Sequence, residues 1–194
     1  INTADAEILG LEVEGRYAVT DSLLVMGNIG LIDAEYTDVA FDISGDGVVD
    51  SADLDLSIPR VPELTWGVGV LYDHDLGDMG SVATRVNFQY KDQFAYTDNN
   101  FGWVQEFNSL TANVTWSTPW DGVQLSVYGD NLLDEVSVGN DTQLPFGGAL
   151  SGFIPGSQNL SNGINEPFGQ NPAAGTLSPL KKGRVLGIEL TYEY

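Results

Sequence analysis

Between Asp42 and Asp53 the chain reads Asp-Ile-Ser-Gly-Asp-Gly-Val-Val-Asp-Ser-Ala-Asp. Counted from Asp42, oxygen-bearing side chains fall at positions 1, 3, 5, 9 and 12 (Asp42, Ser44, Asp46, Asp50 and Asp53), with Gly47 at position 6 and the apolar Val49 at position 8. This is the spacing of an EF-hand calcium loop, in which hard Ca²⁺ collects six or seven oxygens and the central glycine allows the chain to turn sharply around the ion. The carbonyl of Val48 supplies the backbone ligand of such a loop. The sequence therefore predicts a structural Ca²⁺ as cofactor, in a loop without the usual flanking helices because Pro59 stops any helix after roughly Ser57.

No other segment offers explicit chemistry. The one histidine, His74, falls in an expected short turn between Asp73 and Asp75, and with no cysteine in the chain there is neither thiol chemistry nor a disulfide framework. Glu12 and Glu14 are paired carboxylates, but two residues apart on a strand they read as neighbours on one face rather than as a glycosidase pair. The chain is expected not to be an enzyme. A net charge of −21 excludes nucleic acid as a partner, because a phosphate backbone needs a basic surface.

The elements that carry the loop are expected to be strands. No run approaches the roughly 18 consecutive apolar residues of a membrane helix, whereas period-two alternation recurs seven times. Near 7–19, Leu9, Leu11, Val13, Tyr17 and Val19 oppose Glu12, Glu14 and Arg16. The run near 23–36 alternates less cleanly. Near 62–72, Leu64, Trp66, Val68, Val70 and Tyr72 oppose Glu63, Thr65, Gly67 and Gly69. In the fourth run Val82, Thr84, Val86, Phe88 and Tyr90 oppose Arg85, Asn87, Gln89 and Lys91, a polar face long enough to line a water-filled lumen. Runs near 109–116 and 123–130 follow. The last run puts Leu186, Ile188, Leu190, Tyr192 and Tyr194 on one face and ends on an aromatic residue. Short turns (20–22, 73–80, 119–122) alternate with longer connections (39–61, 97–106, 137–183), the habit of outer-membrane barrels. Glycines within the strands, among them Gly10, Gly27, Gly30, Gly67, Gly69, Gly129 and Gly187, suit a lumen that tolerates small inward residues.

Four segments, in order, resemble the C-terminal part of a TonB-dependent outer-membrane receptor: Ala6-Glu7-Ile8-Leu9-Gly10-Leu11-Glu12-Val13-Glu14, Leu31-Ile32-Asp33-Ala34-Glu35-Tyr36-Thr37-Asp38, Ile58-Pro59-Arg60-Val61-Pro62-Glu63-Leu64-Thr65 and Tyr128-Gly129-Asp130-Asn131-Leu132-Leu133-Asp134. The resemblance spans nearly all of residues 1–194. It implies an all-β fold: an antiparallel transmembrane β-barrel of about 22 strands, of which this chain supplies the last seven as a fragment. It further implies location in the outer membrane of a Gram-negative bacterium. The implied partners are outer-membrane lipid, an imported small molecule such as a siderophore, cobalamin or a glycan, and the TonB complex, reached through an N-terminal part and plug not contained in this chain. The aromatic terminus resembles the signal read by the barrel assembly machinery. Asp53, where an EF-hand usually has Glu, resembles the calcium loops of dockerin modules.

Two further expectations concern loops. Phe146, Phe153 and Phe168, set among Gly, Asn, Gln, Ser and Pro in the last long connection, could stack on a ligand such as a sugar, although anchoring to neighbouring loops explains them more simply. Tyr96 and Trp103, flanking the medium connection, read equally well as ligand contacts and as residues of an interfacial aromatic girdle. The rival to the whole reading is a secreted β domain, a calcium-dependent carbohydrate-binding or adhesin module, in which the apolar strand faces pack on one another instead of on lipid.

Overall fold

The computed structural model describes residues 4–100, 102–138, 142–143, 176–177 and 180–194. The elements in chain order are β1 (Ala4–Thr20), β2 (Leu23–Val39), α1 (Ser51–Leu54), β3 (Leu64–Asp75), β4 (Ser81–Lys91), β5 (Phe94–Ala95), β6 (Trp103–Val104), β7 (Phe107–Ser117), β8 (Val123–Asp130), β9 (Thr142–Gln143), β10 (Thr176–Leu177) and β11 (Val185–Tyr192). Seven of them form one antiparallel sheet in the order β1-β2-β3-β4-β7-β8-β11, and β5–β6 and β9–β10 make two small two-stranded pieces. The seven runs of alternation are the seven strands of the large sheet. Because each strand pairs with its predecessor in that set, successive connections fall at opposite ends, which puts the short turns 21–22, 76–80 and 118–122 at one end and the long loops at the other.

The register sorts every side chain to a face. Glu14 lies opposite Asn28, Asn28 opposite Gly67, Gly67 opposite Gln89 and Gln89 opposite Ser109. The next such row runs Arg16, Met26, Gly69, Asn87 and Thr111. Since cross-strand partners share a face, these rows build one polar surface, and Arg85, Asn87, Gln89 and Lys91 lie on it together as expected. The opposite surface carries Val25, Val70, Val86 and Ala112 in one row and Ile29, Trp66, Tyr90 and Asn108 in another. Gly27 and Gly129 belong to this apolar face, so the strand glycines do not all point inward.

The apolar face holds no buried hydrophobic side chain among the described residues. Among the described residues the only buried hydrophobic side chains are Ile43, Ala95 and Tyr96, all outside the seven-stranded sheet, while Leu9 is 71% exposed and Ile188 74% exposed. Among the described residues the sheet thus has no buried apolar layer on either face. Its outer strands β1 and β11 are exposed along their length.

Aromatic residues collect at both ends of the apolar face. At the long-loop end Trp66 packs against Phe88 and Tyr90, with ring centroids 5.0 and 6.0 Å apart. At the short-turn end Trp116 stands 6.2 Å from Trp120 and donates its indole N–H to the Met79 carbonyl at 2.8 Å, and Tyr192 stacks on Tyr194 at 6.5 Å. From Tyr90 to Val82, the partner of Trp116, are eight residue steps (90 − 82). At about 3.4 Å per step and a tilt of about 40° that is roughly 20 Å of height, close to the apolar band of about 25 Å in membrane barrels.

Several boundaries differ from the sequence reading. β3 continues to Asp75, so His74 is a strand residue rather than a turn residue; it is exposed, its ring stacks on Tyr72 at 5.8 Å, and its Nδ1 is 3.3 Å from the Tyr72 hydroxyl. Tyr194 lies two residues past Tyr192, the last residue of β11, and between them the Glu193 N–H donates to the Gly122 carbonyl.

Candidate functional site

The acidic loop is folded by its own carboxylates. Asp42 accepts the Ser44 hydroxyl (3.2 Å) and the Gly45 N–H (2.6 Å) on one oxygen and the Gly47 N–H (2.7 Å) on the other, and Asp46 accepts the Val48 N–H. Gly45 and Gly47 have φ of 81° and 94°, which lets the chain reverse where the spacing required it. Asp50 caps α1 by accepting the Ala52 N–H, and Asp53 reaches back to the Asp50 N–H. This single helical turn, unexpected from the sequence, begins inside the loop, because Asp50 and Asp53 form a capping box.

Asp53 is the only fully buried side chain of any size among the described residues. Its carboxylate accepts three backbone N–H groups, Ile43 and Ser44 at 2.7 Å and Asp50 at 3.0 Å. Burial alone pushes such a carboxyl upward, but the donors from Ser44, Asp50 and Ile43 outweigh it and hold Asp53 below the ordinary aspartate value. The predicted ligands thus occupy one compact loop. Among the described residues, however, no three His, Cys, Asp or Glu side chains converge as a metal cluster. The loop has the oxygen donors and the turn of a calcium loop, and its carboxylates Asp42, Asp46, Asp50 and Asp53 are bonded to backbone N–H groups.

The loop after β2 is tied to the loop after β4. The Arg60 N–H donates to the Ala95 carbonyl at 2.8 Å, and the Arg60 guanidinium lies over the Tyr96 ring, 5.3 Å from its centroid. Asn100 accepts the Ser57 N–H and returns a hydrogen bond to the Ser57 carbonyl. Tyr96 is buried here, under the Arg60 guanidinium, which corrects its assignment to an interfacial girdle. The aromatic clusters at the two ends of the apolar face are instead formed by Trp66, Tyr90, Trp116, Trp120 and the terminal tyrosines. Beside this clasp Asp98 is held above its ordinary value, burial outweighing its own backbone contact and the attraction of Arg60.

The segment after β8 is organised by Asn131, whose side chain both accepts the Glu135 N–H and donates to the Glu135 carbonyl. Glu135 then receives the Asn108 backbone and side-chain N–H groups at 3.0 and 2.9 Å, locking the loop to β7. This gives the Asp130-Asn131-Leu132-Leu133-Asp134 motif a physical role. Asp134 completes it by pairing with Arg184 at 3.3 Å at the start of β11. The expected ligand contacts Phe146, Phe153 and Phe168 lie outside the described residues.

An antiparallel segment of β-barrel wall is what this sheet, with its polar and apolar faces and its alternating loops, defines. No family model matches the chain. Solved structures share the fold. Over its whole length the chain superposes on the ferric yersiniabactin uptake receptor FyuA from Yersinia pestis, with a TM-score of 0.67, 18% identity and coverage of 24% of that protein. The siderophore receptor PiuA from Acinetobacter baumannii matches over 98% of the chain and 22% of its own length (TM-score 0.64, 14% identity). The ferric citrate transporter FecA matches over 96% and 24% (TM-score 0.58, 14% identity). The chain therefore spans about a quarter of the length of these receptors.

Proposed function

We propose that the chain is part of the barrel wall of an outer-membrane receptor of a Gram-negative bacterium, which takes up a small nutrient molecule with energy supplied through the TonB complex. The observation that carries this reading is the pairing of an unpacked apolar face, bounded by aromatic residues at both ends, with a continuous polar face. Lipid is the natural partner of the first and a lumen of the second. A secreted carbohydrate-binding or adhesin domain would bury its apolar strand faces against each other, and this sheet leaves them exposed. Uptake by receptors that share the fold, named for ferric yersiniabactin, siderophores and ferric citrate, supports an imported chelate over a glycan or cobalamin. The test is fractionation of cells expressing the full-length protein. A heat-modifiable barrel in the outer membrane and loss of TonB-dependent uptake on deletion are the expected results, and a soluble secreted product would overturn the reading.

In the same reading the loop Asp42–Asp53 takes Ca²⁺ through Asp42, Ser44, Asp46, the Val48 carbonyl, Asp50 and Asp53. The formed turn at Gly47 and the Asp42 hydrogen bonds across it support this. Each carboxylate has about four lone-pair sites and uses some for backbone. The ion would supply charge neutralisation and stiffness at the barrel mouth.

A further inference from the structure

At the short-turn end the apolar face closes on a row in which His74 of β3 lies opposite Val82 of β4, and Val82 opposite Trp116 of β7. Both neighbouring turns fold against the tryptophan of that row. The Trp116 indole N–H donates to the Met79 carbonyl at 2.8 Å, which brings the turn 76–80 to the apolar face, and Trp120 of the turn 118–122 stands 6.2 Å from the Trp116 ring. These turns carry Asp78 and Asp121, both exposed. The same end of the sheet holds Asp21, Asp73, Asp75 and Glu193, also exposed, and no lysine or arginine. Of the chain's 7 basic residues, Arg16 and Arg85 lie on the polar face, and Arg60, Lys91, Lys181, Lys182 and Arg184 belong to the long-loop end. His74 supplies the row with a donor. The Tyr72 ring stacks on its imidazole at 5.8 Å and the Tyr72 hydroxyl stands 3.3 Å from Nδ1; with that hydroxyl donating to Nδ1, the ring proton is on Nε2, which remains a donor on an exposed side chain.

We propose that the short-turn end of the apolar face is a docking surface for an ethanolamine phospholipid, a lipid whose head group carries both a phosphate and a primary ammonium. This deepens the receptor reading and rests on it, since lipid already meets the apolar face there. Interfacial tryptophan sits at head-group depth, so a lipid in contact with Trp116 and Trp120 has its head group level with the turns 76–80 and 118–122. An anionic head group at that depth meets the carboxylates of this chain and none of its bases, and is repelled. An ethanolamine head group meets complementary charge: its ammonium faces Asp78, Asp121 and the rings of Trp116 and Trp120, while its phosphate accepts the His74 Nε2–H. A choline head group keeps the positive charge but has no N–H to give a carboxylate, so the surface separates these two lipids as well.

The experiment uses the full-length receptor in detergent, given dioleoyl lipids with ethanolamine, choline or glycerol head groups at equal concentration, bound lipid being read by native mass spectrometry. The ethanolamine lipid is expected to be held about tenfold more tightly than the anionic glycerol lipid. That preference should be lost in the double variant Asp78→Asn with Asp121→Asn, and reduced in His74→Phe, which keeps a ring against Tyr72 but removes the N–H. Asp78→Lys should shift retention toward the glycerol lipid. The comparison on the unaltered receptor needs no variant, and a heat-modifiable barrel is the check on each variant. Equal retention of the ethanolamine and glycerol lipids, choline lipid held as tightly as ethanolamine lipid, or a preference untouched in the double variant would each overturn the docking surface. Any of these in a receptor that reaches the outer membrane sinks the docking surface alone, whereas a soluble secreted product sinks the receptor reading itself.

Discussion

The ring of Tyr128 lies over Gly187, its cross-strand partner between β8 and β11 on the polar face: a Cβ added at Gly187 would stand only 2.7 Å from Tyr128 Cε1. The glycine leaves the space into which the tyrosine folds, and the pair lies at the junction that joins the last strand to the sheet. Replacing Gly187 by Leu should cost about 1 to 3 kcal/mol through overpacking, and adding Tyr128→Ala should recover part of it. The fraction of heat-modifiable barrel in outer-membrane preparations measures both. Equal losses in the single and double variants would show that the contact is not what matters.

Charge should be tolerated on one face only. Arginine at Val86 or Val114 faces the apolar side and should cost about 2 to 4 kcal/mol near the bilayer midplane, whereas arginine at Asn87 or Asn113 faces the lumen and should cost far less. Refolding into lipid vesicles gives the comparison directly. Similar costs on both faces would reverse the face assignment.

Calcium is expected to bind Asp42–Asp53 in the weak range of extracellular modules, roughly 10⁻⁴ to 10⁻³ M, because Asp53 is already engaged by three N–H groups that the ion does not replace. Calorimetry of the intact receptor, with Asp46→Ala as control, should show heat that the variant loses. An unaltered signal in the variant would leave the segment an acidic turn held by its own hydrogen bonds.

Two aspartates should respond to pH with opposite sign. The Asp53 carboxyl is depressed in the fold, so its contribution is present above the ordinary aspartate value of about 3.9 and is lost as pH falls through the lower, folded value. Protection of the Ile43, Ser44 and Asp50 amides, taken relative to their intrinsic exchange rates, should therefore fall on acidification below that range. Asp98 is raised, so what it contributes is present below the ordinary value and lost as pH rises through the folded one. Asp98→Asn should accordingly keep the Arg60–Tyr96 clasp at neutral pH and remove its pH dependence, as read from exchange of the Arg60 amide. Faster exchange there in the variant would mean that the ion pair, not burial, dominates.

The end of β11 should matter for assembly more than for the finished sheet. Tyr194 is fully exposed and its ring stacks on Tyr192, so removing it deletes little packing among the described residues. Deletion or Tyr194→Ser in the full-length protein should nevertheless lower outer-membrane levels, by loss of an assembly signal. Unchanged levels would remove that role.

The seven strands and their two faces were legible in the residues themselves, because a side-chain period of two needs nothing beyond the local chain: Val82 to Tyr90 against Arg85 to Lys91 already states which residues share a side. The calcium-type spacing was equally local, and so was its turn at Gly47. What the sequence could not hold is which distant segments meet. Nothing local says that Asp53 buries itself under Ile43 and Ser44, that Arg60 covers Tyr96 and removes it from the girdle, or that Lys181 crosses a long connection to lie over the Phe107 ring. Those relations are set by strand register and by loops closing over one another, and such contacts carry no signature in the spacing of either partner. The periodic pattern fixes orientation within a strand; only the assembled sheet decides the neighbours.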